Sequence, residues 1–104
     1  MSSPTSRSLK LMRERGFHAE VTEHWNAFAR KRFDLWGFCD VLCLGADGER
    51  VVVQTTSDSN VSARVKKIAD SPVVGFVRKA GFQIIVHGWR KVKGRWQVRE
   101  VDCS

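Results

Sequence analysis

Three polar residues interrupt otherwise apolar segments: Asp40 within Gly37-Phe38-Cys39-Asp40-Val41-Leu42, and Gln54 and Thr56 within Val52-Val53-Gln54-Thr55-Thr56-Ser57. Both segments read as strands, and residues two apart on a strand point to one face. Gln54 and Thr56 therefore share a face, and Asp40 joins them if the register allows. Buried polar groups need partners or a ligand. Bonds to one another and to nearby backbone would satisfy Gln54 and Thr56. A carboxylate inside a strand asks instead for a cation.

The elements that must position this trio follow from patterning. Ser3-Pro4 starts a helix, with Pro4 at its first position and Leu9, Leu11 and Met12 as its apolar stripe before Gly16. Phe17 to Trp25 is predicted as a short strand and Asn26 to Asp34 as a basic loop. Strands are predicted at Phe38–Leu44 and Val51–Thr56, with Asp47-Gly48 at the turn between them. Val51-Val52-Val53 is apolar on both faces, so its strand is expected to be central and covered on both sides. Ser59 or Asn60 caps a helix with Val61, Val65, Ile68 and Ala69 on one stripe. A second short helix is expected from Ser71-Pro72 to Gly81. Phe82–Lys91 and Arg95–Val101 then form a hairpin turned at Lys93-Gly94. The order predicts an α/β fold: one small domain over 1–104, with a mixed central sheet flanked by helices and residues 1–3 loose.

The chain has 104 residues and a formal net charge of +7. That length supports one domain. No apolar run reaches the roughly 18 residues of a membrane span, and the N-terminus lacks the apolar stretch of a secretory signal. Cys39, Cys43 and Cys103 match no zinc spacing, so a reduced, cytoplasmic protein is expected. Cys39 and Cys43 are expected as packed thiols on the face opposite Asp40. The first sixty residues hold eight acids and eight bases, whereas Asn60 to Arg99 holds ten bases and one acid, Asp70. This asymmetry points to a polyanionic partner, nucleic acid before membrane.

The order of elements, with Asp40 on one strand and Gln54-Thr55-Thr56 on the next, resembles the PD-(D/E)XK nuclease superfamily. Within it, the likeness is to archaeal-type Holliday-junction resolvases and small phage nucleases. It covers roughly residues 4–90. Asp40 matches the metal-binding Asp, Gln54 stands where the family has Glu, and Thr56 where it has Lys. The carboxylate that the family often carries on its first helix is absent near Arg7.

The resemblance implies a restriction-endonuclease-like fold and phosphodiester hydrolysis with Mg²⁺ or Mn²⁺ on branched or double-stranded DNA. Asp40 and Glu23 would hold the ion, Gln54 and the Thr55 carbonyl would complete its shell, and Thr56 would position water. Asp34 is a weaker candidate ligand. Arg64 and Lys67, three apart on one helix face, are the candidates for phosphate contact. Lys66 and the run Arg30-Lys31-Arg32 are further candidate DNA contacts. Each of these charges also reads as an ordinary solvated residue. Trp89 and Trp96 are candidates for base stacking or for core packing. His18, His24 and His87 show no metal spacing. The resemblance further implies a homodimer, with the helix from Ser71 to Ala80 as an interface or as core, and a phage or mobile-element setting. The alternative function is a non-catalytic nucleic-acid-binding module that keeps the fold. A scaffold domain with incidental charge is the third.

Overall fold

Ser3 opens the first helix, and the computed structural model describes residues 3–104. The Ser3 hydroxyl accepts the Ser6 N–H at 3.1 Å while the Ser6 hydroxyl accepts the Ser3 N–H at 2.8 Å, a reciprocal cap on α1 (Pro4–Glu14). Ser3 is thus anchored rather than loose, and residues 1–2 of that expectation lie outside the described residues. Then follow β1 (His18–Val21), β2 (His24–Asn26), β3 (Lys31–Phe33), β4 (Val41–Leu44), β5 (Arg50–Ser57), a single 3₁₀ turn (Asp58–Asn60), α2 (Val61–Ala69), α3 (Val74–Lys79), β6 (Gln83–Val92) and β7 (Arg95–Asp102).

Five strands form one mixed sheet in the order β1-β4-β5-β6-β7. Only β5 and β6 run parallel, because the helical connection through α2 and α3 carries the chain back to the same end. The β6–β7 hairpin turns at Lys93 (φ +50°) and Gly94 (φ +78°), the two left-handed positions of a type I′ turn. As expected, β5 is covered on both faces. Val51 and Val53 pack with Met12, Ala19, Val41 and Cys43 under α1. Val52 packs with Val61, Ile68, Val74, Val77, Ile84 and Val86 under α2 and α3. Each face buries several aliphatic side chains, each worth about 1.5–3 kcal/mol on burial.

The structure corrects four expectations. The segment 17–25 is two strands, not one. Thr22 ends β1 by giving its N–H to the Asp40 carbonyl at 2.9 Å and its hydroxyl to the Cys39 carbonyl at 2.8 Å. The basic loop 26–34 is half of an antiparallel ribbon, β2–β3, with His24 opposite Phe33 and Asn26 opposite Lys31. Its side chains meet no core, so no apolar alternation marked it. Strand β4 begins at Val41, after a tight loop, and Cys39 packs on the α2 side while Cys43 packs under α1. Helix α3 begins at Val74, since the Ser71 hydroxyl accepts the Val73 N–H and holds a turn there. Val74 and Val77 of α3 face the protein's own core, and Phe76 stays 76% exposed.

Candidate metal centre

Register alone brings three carboxylates together. In the β2–β3 ribbon His24 faces Phe33, and Glu23 and Asp34 are the residues that flank this last pair. Leu35 and Cys39 then exchange both backbone bonds, at 3.2 and 2.8 Å, closing a loop whose turn residues Trp36 (φ +59°) and Gly37 (φ +78°) are left-handed. The residues flanking that closed pair are Asp34 and Asp40, which are therefore neighbours. One ligand oxygen from each of Glu23, Asp34 and Asp40 lies within 4.8 Å of the others. Like charges held this close repel, and Lys67 beside Asp34 and Arg32 beside Glu23 offset part of that repulsion.

Asp40 is the buried member, 3% exposed. Val41 faces Val53 on β5, yet the Asp40 N–H also bonds the Val53 carbonyl at 2.9 Å. Two residues against one is the arrangement of a bulge, which re-aims a side chain. Here it delivers the Asp40 carboxylate to the end of β5. Its Oδ2 accepts from Gln54 Nε2 at 2.6 Å, from the Thr55 N–H at 2.7 Å and from Thr55 Oγ1 at 3.1 Å. Thr55 Oγ1 in turn pairs with Thr5 Oγ1 of α1 at 2.9 Å. Burial pushes the Asp40 carboxyl up to about 7; the Thr55 N–H opposes this, and the nearby Asp34 and Glu23 add to it.

Gln54 is 1% exposed, and with its amide nitrogen given to Asp40, its Oε1 is buried with no hydrogen-bond partner among the described residues. A buried orphan carbonyl costs about 1–3 kcal/mol. Gln54, Asp40, Glu23, Asp34, Thr55, Thr56 and Arg64 all line one open cleft of about 350 Å³. Three carboxylates and an unpartnered amide oxygen form an all-oxygen donor set, the set that hard divalent cations take.

A comparison with family models, with curated proteins and with solved structures finds no match for the chain. The site's chemistry therefore rests on its own geometry.

The structure gathers the trio Asp40, Gln54 and Thr56 in this cleft, with Glu23, Thr55 and Arg64. It raises Asp34, the weaker candidate, to a full member. Lys67 Nζ lies 3.6 Å from Asp34 Oδ2, and Arg32 Nη1 lies 3.4 Å from Glu23 Oε1, so both cations sit at the rim. Lys66 is exposed on α2, and Arg30 and Lys31 are exposed on the ribbon. Arg7 does not face this cleft; its guanidinium stacks 3.6 Å above the Trp96 ring. Trp89 is buried, its Nε1 donating to Ser8 Oγ at 2.9 Å.

That last bond belongs to a network missed in the sequence. Ser8 Oγ lies 2.8 Å from His87 Nδ1, and His87 Nε2 lies 3.0 Å from Glu100 Oε1. Arg15 clamps Glu100 with both terminal nitrogens, at 2.6 and 3.1 Å. The Glu100 carboxylate can only accept, so His87 donates to it through Nε2–H, and burial favours the neutral ring, whose Nδ1 accepts the Ser8 O–H. Burial lowers the His87 pKa. Ser8 and His87 are both 0% exposed, so this serine, histidine and carboxylate form a structural strut, out of reach of substrate.

Proposed function

We propose that the chain is a DNA-binding protein of restriction-endonuclease-like fold that hydrolyses phosphodiester bonds with Mg²⁺ or Mn²⁺, acting on branched or structured DNA. The observation that carries this reading is the Glu23–Asp34–Asp40 cluster with the orphaned Gln54 Oε1 beside it. Glu23, Asp34 and Asp40 would hold the ion, and Gln54 Oε1 and the Thr55 carbonyl would supply neutral oxygens. A bound Mg²⁺ supplies positive charge at a phosphate and a water of lowered pKa. The protein's own part is positional. Thr55 fixes the Asp40 carboxylate through two bonds, Thr56 offers a hydroxyl to orient water, and Arg64 is the cation lining the cleft for phosphate. The basic α2 and the exposed Arg90, Lys91 and Arg95 of the β6–β7 hairpin suit a polyanion. Two copies would match the two-fold symmetry of a four-way junction.

One feature favours a second reading, a module that binds without cutting. Thr56 is neutral where the resembled family has a lysine, and Arg64 is the cation that replaces it in the cleft. Labelled four-way junction, flap, single-stranded and duplex DNA, incubated with Mg²⁺ or Mn²⁺, separates the two. The expected result is metal-dependent cutting that Asp40→Asn reduces at least a hundredfold, an order set by losing a charged ligand. Tight, salt-sensitive binding without cutting would establish the module. Cutting by Asp40→Asn at the wild-type rate would sink the metal assignment.

A further inference from the structure

The β2–β3 ribbon grows out of the candidate metal centre: Glu23 is the residue before β2 and Asp34 the residue after β3. Its tip, residues 27–30, is held in shape by the Asn26 side chain, whose Oδ1 accepts the Ala29 N–H at 3.0 Å, and by Arg30 at φ +52°. Phe28 sits on that tip with its whole side chain in solvent, 103% exposed, and Trp25 is 60% exposed. A two-stranded ribbon is marginal alone, and clustered exposed aromatics mark a surface that meets something.

Charge says what. From His24 to Phe33 the ribbon carries Arg30, Lys31 and Arg32 and no acid. A second copy docked ribbon to ribbon across a two-fold axis would oppose these cations with their own kind. A polyanion with stackable faces satisfies both the cations and the aromatics. Placement agrees. Three strand residues at about 3.3 Å each put the tip roughly 10 Å from the carboxylates, about three base-pair steps at 3.4 Å.

We propose that the ribbon between Glu23 and Asp34 is a DNA-binding arm, and that Phe28 inserts between bases about three pairs from the stretch of backbone that passes the cleft. The inference rests on the nucleic-acid reading above and adds to it how the DNA is gripped and deformed. Flexible pyrimidine–purine steps unstack more easily than A-tracts, so a TA step at the insertion point is favoured.

The test uses the full chain and duplexes carrying 2-aminopurine at successive positions, without divalent ions, so that hydrolysis is off. Wild-type protein is expected to raise 2-aminopurine fluorescence at one or two adjacent positions. Phe28→Ala is expected to lose that rise and to bind about tenfold more weakly, the loss of one aromatic stack. Phe28→Trp keeps both signals. Lys31→Ala should lower the salt slope of binding by about one without moving the fluorescent position. Equal affinity and equal fluorescence for Phe28→Ala would overturn the arm and leave DNA binding intact. No affinity of the wild type for any DNA would overturn both readings. A sedimentation mass that falls on Phe28→Ala while DNA affinity holds would make the tip a self-contact and overturn the proposal.

Discussion

Asp40 at the head of the carboxylate cluster and Ser8 with His87 at the head of the Ser8–His87–Glu100 chain are buried against the central sheet, and the two groups are finished differently. In the chain every group has a partner of the right kind. Trp89 donates to Ser8, Ser8 to His87, His87 to Glu100, and Arg15 balances the Glu100 charge. In the cluster three carboxylates crowd together, Asp40 is driven toward its neutral form, and Gln54 Oε1 has nothing to accept. A satisfied buried network rigidifies a fold, whereas a half-satisfied one costs stability. The difference separates a strut, tying α1 to β6 and β7, from a cluster whose polar groups are left partly unsatisfied.

Breaking the strut should have the largest effect. His87→Ala removes a fully buried ring, leaves a cavity and takes from the buried Ser8 hydroxyl its acceptor, while Glu100 keeps its Arg15 clamp. Cavity and orphaned hydroxyl together predict a loss of about 4 kcal/mol, read as a lower urea midpoint at unchanged slope. Mild acid should imitate it. His87 titrates lower in the folded state than its ordinary 6.5, so its contribution is complete above 6.5 and is lost as pH falls from there. Protonation would put a second donor against Ser8 Oγ. A change below about 0.5 kcal/mol for His87→Ala would place the strut among ordinary surface contacts.

Relieving the cluster should have a smaller effect of opposite sign. Asp40 titrates near 7 folded against 3.8 unfolded, so the folded state holds its proton longer. That benefit is complete below 3.8 and is lost as pH rises through about 7. At pH 8 the ionised carboxylate therefore carries its full burial cost. Asp40→Asn keeps an oxygen for the Gln54 and Thr55 donors and removes the charge. Without divalent ions it should be more stable than wild type by on the order of 2 kcal/mol at pH 8, and no more stable at pH 4. The two variants thus shift the pH–stability profile in opposite senses. Equal stability of Asp40→Asn and wild type at both pH values would show that the Asp40 charge carries no burial cost.

Much of the fold was legible because its cause is local. The both-sided apolar run Val51-Val52-Val53 identified the central strand, and Asp47-Gly48 and Lys93-Gly94 identified two turns. The part of the site on β5 was legible for the same reason, since strand parity joins Gln54 to Thr56. What escaped depends on pairing between segments. The ribbon buries nothing, so its alternation carried no signal, and with it went the pairing of Glu23 with Asp34. The Asp34–Asp40 contact needs the Leu35–Cys39 closure. Gly37 midway between the two acids was the one hint of it. The strut joins residues 8, 87 and 100, whose meeting follows from packing α1 across β6 and β7 and leaves no trace in local spacing. The resemblance to nucleases pointed to Asp40 and Gln54, and Asp34 stood as the weaker candidate because its approach to Asp40 leaves no mark in linear spacing.

The smallest effect is the one that most sharpens the contrast between the two clusters. If the carboxylates are a site, a cation should turn the unsatisfied cluster into a satisfied one. At ten times its dissociation constant, Mg²⁺ or Mn²⁺ should stabilise the wild type by about 1.4 kcal/mol, a rise in Tm of about 6 °C for a chain of this size. The cation displaces the Asp40 proton, so the rise should be full at pH 8 and much smaller at pH 5, where the carboxyl is neutral. Asp40→Asn and Glu23→Gln should each blunt it. His87→Ala should lower the starting Tm yet show the same increment, because its network shares no hydrogen bond with the cluster. An increment equal in wild type and Asp40→Asn would mean that cations bind elsewhere. Arg32 beside Glu23 and Lys67 beside Asp34 would then be the groups that balance the cluster's charge.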